Sequence, residues 1–327
     1  MIKKDFSSPD EDKRLFLRGI NTHKHSYLVI QFLGISLTLI AIAKTLISLN
    51  SVFAIEWKLF TAGSILFLSG NYIGQSKTLQ KLFNTQSTQA SRSRDFAIKL
   101  MVFVLFIVIA STKLLAENVD MYKSYFFGEG GIVEWLQVIL LAYSIRVSML
   151  ISEDIYIMRI NRYLRLFYIC ISCLLSFLLL EELAWGQVLF SWKTPENIAR
   201  LNAQGETTFH NLKAFQNILD ISFFFISVLC IVVFILIPYI LKYSKKSFLF
   251  KNKFSLTIFL PPDYIWPVFV LTSLISFYVM LPLIGDIIIN RDQEWAELLF
   301  YSGILISLLR TYILLGDKQT VSKVPSK

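Results

Sequence analysis

Residues 166–187 read "LFYICISCLLSFLLLEELAWGQ", fifteen consecutive uncharged residues that stop at two adjacent carboxylates, Glu181 and Glu182. A bilayer core of roughly 30 Å takes about twenty apolar residues in helical form, so the run is of membrane grade. The rest of the chain has the same character. Hydrophobic residues make up 55% of the 327 positions, charged residues only 17%, and mean hydropathy is +0.58. A soluble protein of this size could not hide that much apolar surface, which predicts an all-α polytopic bundle with lipid as solvent.

Runs of sufficient length fall at 28–49, 58–75, 97–116, 132–151, 166–185, 221–240, 264–284 and 295–315. They predict about eight transmembrane helices in a single domain over 27–316, flanked by polar tails at 1–26 and 317–327. The first tail lacks the apolar segment of a cleavable signal, so the first span is expected to be retained. Threading the eight spans alternately puts 21 Lys and Arg on the side of both termini and 6 on the other. By the positive-inside rule both termini are cytoplasmic, and 166–185 runs outward with Glu181 and Glu182 at its outer end. The setting expected is a bacterial cytoplasmic (inner) membrane. The net charge of +9 is spread over short loops facing anionic lipid, not gathered into a nucleic-acid patch.

The outer connections are short but hold most of the distinctive polar residues. "FFGEGGIVEWLQ" (126–137) places Glu134 one turn into the fourth span, and "GDIIINRDQEWAELL" (285–299) places Glu294 and Glu297 three apart on one helix face. In the connection 186–220, "TPEN" (194–197) has a helix start with Thr194 as cap and Pro195 at the first helical position. Phe209, Leu212 and Phe215 recur every three residues, which suits an amphipathic helix lying in the interface. On that helix Glu206 and His210 would project together at i and i+4. Trp135, Trp185, Trp192 and Trp295 read as an aromatic belt. Lys44 and Lys113 lie in the outer parts of the first and third spans, while Arg146 and Arg310 read as residues snorkelling to the inner head groups. The cysteines, including "CISC" (170–173), read as polarizable filler within spans.

The string "EELAWGQVLFSWKTPENIARLNAQGETTFHN" (181–211) resembles a signature of bacterial polytopic membrane proteins for which no activity is assigned. It falls on Glu181, Glu182, Trp185, Gly186, Gln187, Thr194, Pro195, Asn202, Gln204, Glu206, His210 and Asn211. The chain differs from membrane proteases of the CAAX type, having Gly186 where their Glu-Glu-x-x-x-Arg motif carries arginine. It differs from lipid-carrier glycosyltransferases in holding only Glu56 in its first outer connection.

Three functions are compatible with this pattern. The first is an outer-leaflet enzyme acting on a lipid-linked or amphiphilic substrate. Glu181, Glu182, Glu206 and His210 would be catalytic; Lys44, Lys113, Glu134, Gln187, Asn202, Gln204, Asn211, Glu294 and Glu297 would line the substrate site. A metal, if used, would be Mg²⁺ or Mn²⁺, because one histidine among carboxylates is a hard donor set. The second is a non-catalytic subunit that binds a membrane-protein partner. The third is a transporter with the carboxylates as relay, which would need polar groups such as Ser172, Ser176, Thr272, Ser273 and Ser276 at mid-depth.

Overall fold

The computed structural model describes residues 131–190, 192–202, 205–209, 211–243, 258–259, 263–280 and 292–321, with scattered helical positions at 35, 38–39, 99–100, 102–104, 106–107, 109 and 111. Among these, every element is helical apart from one isolated bridge between Asn202 and Leu212. The elements are α1 (Ile132–Ile157), α2 (Arg162–Glu182), a 3-10 turn (Ala184–Gly186), α3 (Gln187–Phe190), α4 (Glu196–Leu201), α5 (Lys213–Tyr243), α6 (Trp266–Met280) and α7 (Gln293–Val321). Three stretches are long and apolar enough to cross a membrane: Ile132–Ile157, Arg162–Glu182 and Gln293–Gly316. By length and composition these three helices fit a membrane protein. Most of the expected spans 28–49 and 97–116, all of 58–75, the tail 1–26 and residues 322–327 lie outside the described residues, while α7 runs on into the expected C-terminal tail as far as Val321.

The long helices pack in the order α2, α1, α7, α6, α5. Helix α1 is the most enclosed, and its sequence shows why. Ser144, Ser148 and Ser152 recur every four residues, all buried, forming a stripe of small side chains that lets neighbouring backbones come close. Ser148 also donates to the Tyr168 carbonyl of α2 at 2.9 Å. Against this stripe a core forms from Leu141, Val147, Ile151 and Ile155 of α1, Tyr168 and Leu175 of α2, and Tyr301, Leu305 and Leu308 of α7. A second core joins Ile265, Val268 and Phe269 to Leu299 and Ile313. There Gly303 of α7 is essential to the approach: a β-carbon on it would lie 2.7 Å from the Phe269 ring.

Helix ends follow local chemistry. Asn161 caps α2, its side-chain oxygen accepting from the amides of Tyr163 (2.8 Å) and Leu164 (3.1 Å). At the start of α1, the Glu134 carboxylate reaches back to the Gly131 amide at 3.2 Å. Helix α2 ends in three successive left-handed residues, Ala184 (φ 44°), Trp185 (φ 55°) and Gly186 (φ 98°). Two of them are not glycine, so this turn is held by contacts made elsewhere.

Several expectations require correction. Residues 205–209 form bends and not a helix, and α5 begins only at Lys213, so Phe209 and Glu206 do not lie on an interfacial helix. The three-residue recurrence of apolar side chains was shared between a loop and the first turn of a span. Pro195, not Thr194, is the cap residue of α4, and Thr194 bonds to Gln187 instead. Trp135 and Trp295 are buried in the cores, leaving Trp185 and Trp192 as the exposed pair. Arg146 is buried as well, and does not extend to a head group.

Candidate functional site

The two adjacent glutamates at the end of α2 have different surroundings. One helical residue apart, they point about 100° from each other, toward different neighbours.

Glu181 is buried and faces the connection that follows. One carboxylate oxygen accepts the Trp185 indole N–H at 2.5 Å, and the other accepts the Phe209 backbone N–H at 2.8 Å. A single side chain thereby fastens both the left-handed turn and the far end of the loop. Gln187 extends the fastening. Its carbonyl oxygen accepts from the Thr207 amide at 3.0 Å and its amide donates to the Thr194 hydroxyl at 2.9 Å. The Thr207 hydroxyl donates to the Ala184 carbonyl at 2.8 Å. Asn202 donates to the Thr208 carbonyl at 2.9 Å and accepts from the Glu206 amide at 3.3 Å. Asn211 donates to the Glu206 carboxylate at 3.4 Å. Gly186 is required twice over here. Its φ is left-handed, and a β-carbon would lie 3.0 Å from the Trp192 ring. Trp185 itself sits edge-on between Phe177 and Phe209.

Glu182 faces the bundle. Its carboxylate gathers with those of Glu294 and Glu297 from α7, one oxygen from each lying within 4.8 Å of the others. The Tyr301 hydroxyl donates to Glu182 Oε1 at 3.1 Å. The Gln137 side-chain amide, fully buried on α1, donates to the Glu294 carboxylate at 3.2 Å and to its backbone carbonyl at 3.0 Å. Glu134 is within electrostatic range of Glu182. Two consecutive helices, α1 and α2, and the distant α7 thus deliver acidic groups to one end of the bundle.

Of the site residues expected from sequence, Glu182, Glu294 and Glu297 come together, with Glu134 nearby. Glu181, Gln187, Asn202, Glu206 and Asn211 instead build the folded connection over residues 184–212. His210, Gln204, Lys44 and Lys113 lie outside the described residues. Sequence reading passed over Tyr301 and Gln137. Their signal was the helical period: Glu294, Glu297 and Tyr301 form an i, i+3, i+7 stripe, and Gln137 follows Glu134 by three. No protein-family model, curated protein or solved structure matches this chain.

What the cluster can do follows from its donors. Carboxylates a few ångströms apart repel when all are ionised, so such a group favours sharing a proton or holding a cation. Glu182, Glu294 and Glu297 are the residues suited to a metal, by reach and by oxygen chemistry.

Proposed function

We propose that this chain is a multi-pass enzyme of a bacterial inner membrane, working at the outer leaflet on an amphiphilic substrate such as a lipid-linked phosphate or sugar. The observation that carries the reading is the convergence of Glu182, Glu294 and Glu297 at one end of a membrane helix bundle. A carboxylate turned toward an apolar helix bundle is expensive, and several together point to a functional site. The charge asymmetry of the loops supports an outward position for this end. The proposal keeps the eight-span topology with both termini cytoplasmic, and membership of the family with the Glu-Glu-x-x-Trp-Gly-Gln signature.

In this reading Glu182 is the general base. Tyr301 occupies one of its oxygens, so the second is presented to the substrate. Glu294 and Glu297 hold the opposite side of the site, and the folded connection 184–212 forms its wall. The test compares membrane lipids and lipid-linked intermediates, by mass spectrometry, in cells carrying wild-type protein or Glu182→Gln, Glu294→Gln or Glu297→Gln. The expected result is accumulation of one amphiphile in all three variants at normal protein levels. Wild-type lipid profiles in every variant would end the proposal.

A second reading draws on a separate observation. The connection exposes Phe190 and Trp192, stacked with centroids 5.8 Å apart, together with Phe209. An ordered apolar surface of this kind suits a subunit that docks on a membrane-protein partner. Stoichiometric co-purification lost in Trp192→Ala, with Glu182→Gln tolerated, would favour docking over catalysis.

A further inference from the structure

We infer that the connection 184–212 is seated in the bilayer, its apolar side chains lying at the boundary between acyl chains and head groups in the leaflet at the Glu182 end of the bundle. Two independent observations carry this. The first is an inversion of polarity. Within the connection, polar side chains bond to one another: buried Asn202 donates to the buried Thr208 hydroxyl at 3.2 Å, and Gln187 holds Thr194 and Thr207. On its outside stand large apolar residues, with Phe190 and Leu201 each 64% exposed and Phe209 58%. No residue of α3 or α4 is fully buried. A loop facing water has the reverse arrangement. A segment facing lipid must satisfy its polar groups internally, and gains by turning its apolar ones outward.

The second is continuity with α2. Only 17% of the apolar stretch of α2 is buried, and Leu174, Phe177 and Leu180 are exposed along it. In a helix that spans a bilayer, that side faces acyl chains. From Phe177 the apolar surface leaves the helix without a break. The Phe177 and Trp185 rings meet edge-on at 5.9 Å, and Trp185 meets Phe209 in the same way at 5.8 Å.

Charge at the border of this surface complements lipid phosphate. Exposed Lys193 follows the stacked Phe190 and Trp192 rings, Arg200 precedes Leu201, and Lys213 begins α5. Rings below the head groups, with ammonium and guanidinium groups reaching outward from them, characterise a segment held in a bilayer interface. The ion pair of Arg200 with Glu196, exposed on both partners, belongs on the same head-group side. Seating of this kind does not depend on turnover, so it stands or falls apart from the enzymatic reading. It assigns the Phe190 and Trp192 surface to lipid and not to a protein partner.

The experiment uses the full chain lacking Cys170, Cys173 and Cys230, reconstituted in vesicles of phosphatidylcholine and phosphatidylglycerol. A nitroxide is attached in turn at Phe190→Cys, Trp192→Cys, Leu201→Cys and Glu196→Cys. Its relaxation by oxygen, which concentrates among acyl chains, is compared with relaxation by a water-soluble nickel chelate. Oxygen should dominate severalfold at the first three positions, and nickel at Glu196→Cys. Nickel dominance at all four would put the surface in water, open to a protein partner, and overturn the inference. Access of neither reagent to the first three would set them against a second copy of the chain, and overturn it equally. A check without labels places the wild-type chain in vesicles of phosphatidylcholine brominated near the head group. Trp192→Phe should lower the fraction of tryptophan emission that is quenched, and a fraction equal to that of wild type would count against lipid contact.

Discussion

At the scale of single residues, the adjacent pair Glu181 and Glu182 separates structure from chemistry within one peptide bond. Glu181 accepts the Trp185 indole N–H and the Phe209 backbone N–H, tying the turn after α2 to the far end of the connection. Replacing it with alanine should cost about 1.5–3 kcal/mol for each charge-assisted bond that is lost. Proteolysis within 184–209 and a red-shifted Trp185 emission would register the opening of the loop. Glu182→Gln keeps an oxygen for Tyr301 and removes one of several like charges. Its thermal unfolding in detergent should be unchanged or raised, while any activity of the site is lost. The opposite pattern, with Glu182→Gln unfolding and Glu181→Ala stable, would reverse the assignment. Sequence alone could flag the pair but not divide it. Both follow the same apolar run, and the difference arises from a left-handed turn at 184–186 that no local propensity dictates.

Among the elements, the apolar periods of α1, α2, α5, α6 and α7 were legible because a membrane helix writes its length directly into hydropathy. Helix ends were less so. Helix α5 starts at Lys213, well before the hydrophobic run that announced it at 221, since Lys213, Gln216, Asn217 and Asp220 interrupt the apolar residues of its first turns. The connection 186–220 was misread for a related reason: side chain–backbone bonds from Gln187 and Asn202, not amphipathic burial, hold it. Most of the polar residues named inside spans also find local partners, the exception being Ser276, whose buried hydroxyl has no hydrogen-bond partner among the described residues. Ser172, Ser176, Thr272 and Ser273 each donate to the carbonyl four residues back on their own helix. Ser273 and Ser227 add a buried contact between α6 and α5 at 2.8 Å. These bonds answer local needs. A close approach between elements is made at Gly303. Gly303→Val would drive a branched side chain into the Phe269 ring, and should lower stability by about 1–3 kcal/mol in a detergent melt. A melting temperature equal to that of wild type would mean that α6 and α7 do not approach so closely.

For the whole molecule, the packing order α2, α1, α7, α6, α5 brings Glu182 of α2 and Glu294 and Glu297 of α7 together, with Gln137 of α1 bonded to Glu294. Sequence supplied each of those acids, and the loop charges assigned them to one side, but only tertiary packing says which of them meet. The same charge pattern predicts that cysteine at Lys193 is labelled by an impermeant maleimide in intact cells, and cysteine at Arg159 only after permeabilisation. Equal labelling of both in intact cells would contradict the topology. The convergence itself is tested most directly by paired cysteines in a background lacking Cys170, Cys173 and Cys230. Glu182→Cys with Glu297→Cys should be cross-linked in native membranes by a short bis-methanethiosulfonate, whereas Leu166→Cys, at the opposite end of α2, with Glu297→Cys should not. Failure of the first pair while both thiols remain reactive, or equal cross-linking of the two pairs, would contradict a shared carboxylate centre.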